Sequence, residues 1–152
     1  MKKIIVLFFL VSNNFVFSQE IQDIRDIYFG NNESISKCDS LQFLLNSFDK
    51  KTNIIDAYIG ANSLLYCKFS DDVFKKFSYF EKGKMMIEEA IKKDPDNVEV
   101  KFLRYINQNN IPWFLNYNQN IEEDYKFITS HLNSIDDKDF KNLIIKTLKI
   151  YK

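Results

Sequence analysis

The stretch that decides the fold runs from residue 73 to residue 106 and reads VFKKFSYFEKGKMMIEEAIKKDPDNVEVKFLRYI. Its apolar residues return every three or four positions, which predicts two amphipathic helices. Pro95 separates the helices, because proline cannot continue a helix. Asp96 offers a side-chain oxygen as an N-cap for the second helix, and Glu99 can reach back to it in a capping box. The stretch therefore predicts two successive helices joined at Pro95.

Helical spacing continues through the rest of the chain, and Asn120 with Glu123 repeats the capping-box spacing before another helix. The chain holds only 3 glycines and 2 prolines, which argues against a turn-rich β-sandwich or barrel. Gly60 and Gly83 are isolated glycines within predicted helices, and each predicts a place where two helices come into close contact. We predict an all-α fold of about six or seven helices in antiparallel hairpins. The predicted helices cover residues 19–29, 36–50, 54–69, 73–93, 97–109, 121–132 and 137–151.

The beginning of the chain has the layout of a secretory signal. Lysines precede an uncharged apolar run, Ile4 to Val11, and Ser18 is a small residue suited to a cleavage site. The apolar run is too short to cross a bilayer well, and an uncleaved N-terminal anchor is the alternative. We predict a signal peptide over residues 1–18, a single α-helical domain over residues 19–152, and a periplasmic or secreted location.

The balance of charge argues against two classes of partner. The chain carries 21 basic and 21 acidic residues, and loss of residues 1–18 removes two lysines and no acids, which leaves 19 and 21. Binding to nucleic acids or to anionic membranes depends on an excess of clustered lysines and arginines. We therefore predict no nucleic-acid partner and no stable membrane insertion after signal cleavage.

Export would also allow the two cysteines, Cys38 and Cys67, to form a disulfide. If the second and third helices form an antiparallel hairpin that turns at Thr52, the two cysteines lie equally far from the turn. Gly60 and Leu64 share the face of Cys67, where a small residue allows a partner helix to approach closely. We predict a Cys38–Cys67 disulfide, with two buried thiols as the alternative.

The segment EEAIKKDPDN, at residues 88–97, resembles the end of the second helix and the linker of a tetratricopeptide repeat. Asp71 stands where the repeat has a small residue, and Tyr105 and Gln108 depart from the pattern in the next unit. The resemblance covers a single repeat and implies stacked helical hairpins in an α-α superhelix. The aromatic, small, bulky, small and proline positions of the repeat are held by Phe74, Gly83, Ile87, Ala90 and Pro95.

A second stretch, from Asn97 to Asp124, is similar to one found in small exported bacterial proteins of unassigned function. This similarity implies export and a helical-repeat fold, and it implies no chemistry. The residues that carry it are Asn97, Glu99, Phe102, Leu103, Arg104, Gln108, Pro112, Phe114, Leu115, Tyr117 and Asp124.

The strongest candidate site lies at the corner between the fifth and sixth helices. Arg104 and Gln108 are four residues apart, so they share a helix stripe that runs toward Pro112. We predict a polar and aromatic recess for a peptide or ligand, formed by Arg104, Gln108, Trp113, Tyr117 and Asp124. The structural alternative is that Arg104 pairs with a carboxylate, Gln108 caps nearby backbone, and Trp113 fills the corner.

Residues for catalysis or metal binding are sparse. His131 is the only histidine, and neither a Gly-flanked serine nor a histidine-carboxylate metal spacing occurs. Paired acids such as Glu88 with Glu89 fall on helices, where carboxylates commonly face solvent or a helix N-terminus. A small hydrolase would need His131 or a carboxylate pair in one cleft. We predict no catalysis, no metal and no cofactor.

These features together predict an exported helical-repeat module that binds a protein or peptide. The alternative is a carrier of a small apolar ligand in a helical cavity lined by phenylalanines. It is motivated by an excess of aromatic residues, of which 20 follow residue 18.

Overall fold

The computed structural model describes residues 19–30, 34–49 and 51–151. The predicted signal peptide at residues 1–18 lies outside the described residues. Within them the fold is all-α, as predicted, and no strand is present. The helices are α1 at residues 19–29, α2 at Ile35–Asn46, α3 at Asn53–Phe69, α4 at Val73–Lys93, α5 at Val98–Asn110, α6 at Ile121–His131 and α7 at Lys138–Leu148.

The chain divides into two compact units, Met1–Asp49 and Lys50–Lys152. The first unit contains α1 and α2, and the second contains α3 to α7. The expectation of one domain over residues 19–152 stays a prediction.

In the first unit, α2 begins at a polar cap and ends earlier than its periodicity predicts. The Ser34 hydroxyl accepts a hydrogen bond from the N–H of Lys37, and the Lys37 ammonium donates to the carbonyl of Gly30 at 2.8 Å. α2 ends at Asn46 because the hydroxyl and the N–H of Ser47 both bond to the carbonyl of Leu44. The buried apolar residues of this unit are Ile21, Ile24, Cys38, Leu41 and Leu45.

In the second unit, α3 and α4 form an antiparallel hairpin. Asn53 at the start of α3 donates to the carbonyl of Ala90 near the end of α4, at 2.8 Å. Toward the other end of the pair, the rings of Tyr66 and Tyr79 stack with their centroids 5.4 Å apart.

The two helices approach each other closely at Gly60 and Gly83, as predicted. A Cβ atom added to Gly83 would lie 2.7 Å from the backbone oxygen of Gly60 and 2.6 Å from Cγ of Leu64. Such distances are well inside van der Waals contact, so only glycine fits at this crossing.

A second antiparallel hairpin is formed by α5 and α6. Arg104 contacts Asp124, and Gln108, four residues later, contacts Asn120, four residues earlier. The two helices therefore run in opposite directions. α7 packs its Phe140 ring edge-on against Phe102 of α5, at 6.0 Å between centroids. The largest side chains in the buried core of this unit include Ile55, Tyr58, Phe80, Ile87, Val100, Phe102, Leu103, Ile128, Phe140 and Ile144.

The start of α5 differs from the predicted capping box. Asn97 is the N-cap instead of Asp96, and its side chain accepts hydrogen bonds from the N–H groups of Glu99 and Val100 at 3.1 Å. Glu99 is buried and accepts a 2.6 Å hydrogen bond from the hydroxyl of Tyr58. The Glu99 carboxylate, which the local spacing predicts as part of the helix cap, therefore binds Tyr58 of α3 instead.

One assumption behind the predicted disulfide differs from the structure. The prediction assumed that α3 presents the face of Gly60 and Leu64 to α2, but these residues meet Gly83 of α4. Both cysteines are thiols in the structure, with Cys38 buried and Cys67 half-buried. Burial raises the pKa of the Cys67 thiol, against the charge of Lys76, which lowers it. Formation of the disulfide in the exported protein stays a prediction.

The first two turns of α4 expose apolar side chains. Phe77 is exposed together with Val73 and Phe74. Phe77 precedes Lys84 by seven residues, so it shares the stripe of that lysine rather than the stripe of the buried Phe80 and Ile87.

Candidate functional site

The five residues predicted to form one recess lie in two different environments. Arg104, Gln108, Tyr117 and Asp124 are buried, whereas Trp113 is 81% exposed. The structure therefore separates the predicted recess into a polar cluster and an exposed corner. The binding role of these residues stays a prediction.

The ion cluster consists of Glu88, Lys101, Arg104 and Asp124. The Arg104 guanidinium donates from Nε to Oδ2 of Asp124 at 2.7 Å and from Nη2 to Oδ1 at 2.8 Å. Its remaining Nη1 donates to Oε2 of Glu88 at 3.0 Å. A bidentate pair with a third charged bond is the strongest geometry that arginine offers. Arg104 thus ties α4, α5 and α6 together.

Lys101 adds a second cation beside the same carboxylate. Its Nζ lies 3.8 Å from Oδ1 of Asp124 and 3.8 Å from Oε1 of Glu123. The same ammonium stands 4.6 Å from the centroid of the Phe127 ring, a cation-π distance. Lys101 is buried, so these contacts replace the water that its charge would otherwise hold.

Tyr117 attaches the connection between α5 and α6 to α4. Its hydroxyl donates to Oε1 of Glu88 at 2.8 Å, on the carboxylate that also binds Arg104. Its ring packs edge-on against Phe80 at 6.2 Å, and the Lys84 ammonium lies 5.5 Å from its centroid. Glu88 therefore joins the ion cluster to the connection.

Burial and pairing shift the pKa values of three groups. Burial acts to lower the pKa of Arg104, but the hydrogen bonds and charges of Asp124 and Glu88 outweigh it and raise that pKa. Burial raises the pKa of the Asp124 carboxyl, against the hydrogen bonds and charge of Arg104. Burial and the charge of Glu88 raise the pKa of Tyr117. Arg104 and Tyr117 therefore keep their protons near neutral pH and are not poised for proton transfer.

Gln108 holds the start of α6. Its side-chain oxygen accepts from the backbone N–H of Asn120 at 3.1 Å, and its Nε2 donates to Oδ1 of Asn120 at 3.4 Å. Asn120 occupies the N-cap position, but its side chain makes no capping bond to α6. The structural alternatives for Gln108 and Arg104 thus match the observed contacts.

The aromatic corner is formed by Pro112, Trp113 and Phe114. A short 3-10 turn at Trp113–Leu115 is closed by bonds from Leu115 N–H to Pro112 oxygen and from Asn116 N–H to Trp113 oxygen, both 3.0 Å. Asn116 has a φ of 48°, in the left-handed region that asparagine tolerates. Its backbone and side-chain oxygens both accept from Gln119 at 2.7 and 2.9 Å.

Trp113 does not fill the corner as the structural alternative expected. Phe114 is 67% exposed beside it, and the two rings meet edge to face with centroids 6.2 Å apart at 82°. Tyr117, three residues after Phe114, is only 2% exposed. The connection therefore buries its tyrosine and leaves its tryptophan at the surface.

Several of the residues considered for catalysis make structural contacts with neighbouring groups in the described part of the chain. The Nδ1 of His131 lies 2.8 Å from the carbonyl oxygen of Phe127, and its ring stacks on the Phe127 ring at 4.1 Å. Glu88 and Asp124 meet only through Arg104. No group of three or more histidine, cysteine, aspartate or glutamate side chains among the described residues is placed to hold a metal ion. The expectation of no catalysis stays a prediction.

Sequence reasoning did not include two members of the ion cluster. Lys101 precedes Arg104 by three residues on α5, and that spacing could have placed both cations on one face. Glu88 is on another helix, and no local pattern ties it to Arg104. Its role depends on how α4 packs against α5.

A Tyr117→Phe substitution is expected to lower the free energy of unfolding at neutral pH by about 1 to 3 kcal/mol, because it removes a buried hydrogen bond to a charged group. The pKa of Tyr117 is raised above its ordinary value of 10.0, so folding favours the neutral phenol. That contribution is complete below pH 10.0 and is lost as the pH rises toward the folded-state pKa.

Urea unfolding from neutral pH to about pH 11 measures both effects. We expect the alkaline loss of stability to be smaller in Tyr117→Phe than in the unsubstituted protein. Tyr79→Phe removes a hydroxyl outside the ion cluster and serves as the control. Identical alkaline curves for the unsubstituted protein and Tyr117→Phe would contradict the prediction.

Comparisons with protein families, with curated proteins and with solved structures found no match to this chain. The tetratricopeptide resemblance and the similarity to small exported proteins stay predictions. Across the described residues, no helix has the length and apolar character needed to cross a membrane.

Proposed function

We propose that the chain is an exported helical module that binds a protein or peptide through the aromatic corner. The observation that carries the proposal is the exposure of Trp113, the only tryptophan, at 81%. Tryptophan is the residue type most enriched among the energetic anchors of interfaces. Leaving it in water is unfavourable, so a partner that covers it gains free energy.

The hydrogen bonds that hold the aromatic corner in place support the proposal. Its turn is closed by two backbone hydrogen bonds, and Gln119 holds Asn116. Directly after the turn, Tyr117 is bound to Glu88 of the ion cluster. A surface held in one conformation before binding loses less entropy when a partner docks. The ion cluster therefore serves the corner as a rigid base.

The helical arrangement supports a repeat-like module. Two antiparallel hairpins follow each other in the second unit, α3 with α4 and α5 with α6. Gly83, Ile87 and Ala90 are buried, as the small and bulky positions of a tetratricopeptide repeat require. Phe74 departs from that pattern because it is 88% exposed.

No specific observation favours the alternative of a carrier for an apolar ligand. That alternative rests on phenylalanines lining a cavity, and four of them face solvent instead: Phe43, Phe74, Phe77 and Phe114. Part of the aromatic excess of this chain therefore lies on the surface, where it cannot line an internal cavity.

Capture experiments test the proposal. The immobilised protein is expected to retain a partner from an extract of exported proteins, and Trp113→Ala should abolish or strongly reduce that retention. Truncation of a central aromatic anchor commonly costs about 2 kcal/mol or more of binding free energy. Because Trp113 is exposed, the substitution should leave thermal unfolding within about 0.5 kcal/mol of the unsubstituted protein.

Phe74→Ala is the matched control, since it removes an equally exposed aromatic ring outside the corner. It should retain the partner as the unsubstituted protein does. Equal retention by Trp113→Ala would show that the corner is not the binding surface, and no retention by any form would count against the module as a whole.

A further inference from the structure

The aromatic corner is attached to the rest of its unit at both ends. After the corner, Tyr117 is bound to Glu88 of α4. Before the corner, Asn110 is the last residue of α5 and stands two residues ahead of Pro112. The Nδ2 of Asn110 donates to the hydroxyl of Tyr151 at 2.6 Å, across 41 positions of the chain. The entry to the corner is therefore bonded to the segment that follows α7.

That segment leaves a helix that is packed into the core. α7 buries three apolar residues spaced by four, which are Phe140, Ile144 and Leu148. After its last turn, the N–H of Ile150 bonds back to the carbonyl of Thr147 at 2.9 Å. The chain is thus still held to the end of α7 one residue before Tyr151.

The ring of Tyr151 adds a packing contact to this hydrogen bond. It meets the ring of Tyr105 edge-on, with the centroids 5.9 Å apart at 88°. Tyr105 lies on α5, five residues before Asn110, and is only 3% exposed. An edge-to-face pair is attractive beyond the area that it buries. Tyr151 therefore contacts α5 at two points, a buried ring and the side chain of the last residue.

The last turn of a helix is the part that frays most easily, because its final carbonyl groups lack partners within the helix. In α5, the side chain of Asn110 donates to the carbonyl of Ile106 at 2.8 Å. The N–H of Ile111 donates to the carbonyl of Asn107 at 3.0 Å. Both bonds lie within α5 and its cap, so both are lost when this turn unwinds. The bond to Tyr151 links the same turn to the end of α7 and opposes the unwinding.

From these contacts we propose that Tyr151 is a positioning residue for the aromatic corner. Its hydrogen bond to Asn110 keeps the last turn of α5 wound, and Pro112 and Trp113 follow directly after that turn. A surface that is held in place before binding loses less entropy when a partner docks. This inference rests on the proposed function and identifies a residue that prepares the same site for its partner.

Hydrogen exchange of the free, full-length protein, measured by NMR for each N–H, tests the inference without a partner. Exchange reports the local opening of individual hydrogen bonds. Tyr151→Phe keeps the ring and removes the hydroxyl, so we expect exchange about three- to tenfold faster at the corner and its entry. The N–H groups that report this opening are those of Ile111, Leu115 and Asn116. The N–H of Asp124, bonded at the start of α6, should exchange at an unchanged rate.

Tyr125→Phe is the matched control. The ring of Tyr125 also packs against Tyr105, with the centroids 6.1 Å apart. In the part of the chain that the structure describes, no hydrogen bond joins its hydroxyl to Asn110. This variant should therefore exchange at the corner as the unsubstituted protein does.

A double substitution tests whether Tyr151 acts through Asn110. Asn110→Ala removes the donor of the bond, and Tyr151→Phe removes its acceptor. If both act through this one bond, the double variant should exchange at Leu115 no faster than Asn110→Ala alone. Accelerations that multiply in the double variant would show that the Tyr151 hydroxyl acts elsewhere, and would overturn the inference.

The pattern of exchange in Tyr151→Phe separates positioning from other roles. Unchanged exchange at Ile111 would show that the hydroxyl does not hold the end of α5. Faster exchange at Ile111 with no change at Leu115 and Asn116 would show that the corner does not depend on that end. An equal acceleration at Asp124 would show a general loss of stability. Each of these three results overturns the inference.

Capture of a partner separates this inference from the proposed function. If Trp113→Ala abolishes retention and Tyr151→Phe changes neither exchange nor retention, the corner binds a partner and Tyr151 does not position it. If exchange in Tyr151→Phe changes as expected and no form of the protein retains a partner, the proposed function fails and the positioning of the corner by Tyr151 stands.

Discussion

Replacing Arg104 with methionine is expected to lower the free energy of unfolding by about 3 to 5 kcal/mol, the range observed when one partner of a buried ion pair is removed. Arg104 makes both of its bonds to Asp124 in the protein interior, and Asp124 is fully buried. Methionine fills much of the same volume, so the loss is mainly the cost of a buried carboxylate that has lost its hydrogen-bonded partner and is left with Lys101, 3.8 Å away, as counter-charge. Urea unfolding followed by circular dichroism measures it.

Lys126→Met is the matched control. Lys126 pairs with Glu122 at 2.6 Å, but the two side chains are 71% and 82% exposed. An exposed pair of this kind contributes about 0.5 kcal/mol or less, so this substitution should be nearly neutral. If Arg104→Met proves as mild as Lys126→Met, the ion cluster does not hold α4, α5 and α6 together.

A double substitution separates the charge from the packing. Adding Asp124→Leu to Arg104→Met removes the buried carboxylate that has lost its arginine and should recover part of the lost stability. A double variant no more stable than Arg104→Met would show that shape at this position, and not charge, accounts for the loss.

Replacing Gly83 with alanine is expected to destabilise the protein by about 1 to 3 kcal/mol, although alanine is the better helix former by about 1 kcal/mol. The added Cβ would lie 2.7 Å from a backbone oxygen of α3, which cannot move without shifting that helix. The steric cost therefore outweighs the gain in helix propensity. Thermal and urea unfolding measure the difference.

Ser78→Ala, on an exposed face of the same helix, provides the comparison. It gains helix propensity without a steric cost and should raise stability by a few tenths of a kcal/mol. A Gly83→Ala variant as stable as Ser78→Ala would mean that α3 and α4 can separate at their crossing with little cost.

Helix positions could be predicted well because they depend on periodicity and on nearby caps. The predicted bounds of α4, residues 73–93, coincide with the observed Val73–Lys93. Predictions were weaker where a side chain had two possible partners. Glu99 could cap α5 locally, yet it binds Tyr58, because a buried hydrogen bond to another helix competes with the local one.

The candidate site was predictable only in part. A spacing of four residues correctly placed Arg104 and Gln108 on one stripe of α5. Spacing within a helix cannot say which carboxylate from another helix will meet that stripe. It also cannot say which aromatic ring of a connection turns inward, and here Tyr117 is buried while Trp113 is exposed.

By itself the sequence determined the all-α class, the approximate helices and the glycine crossing, because each depends on local periodicity or on the absence of a side chain. The tertiary structure alone decided how these parts are used. In the tertiary structure, the face of α3 that contains Gly60 packs against α4, and Arg104 binds both Asp124 and Glu88. Trp113 is exposed to solvent. These outcomes depend on which helix faces pack against each other. Because a protein interior is closely packed, that choice is determined by all the side chains of the unit together.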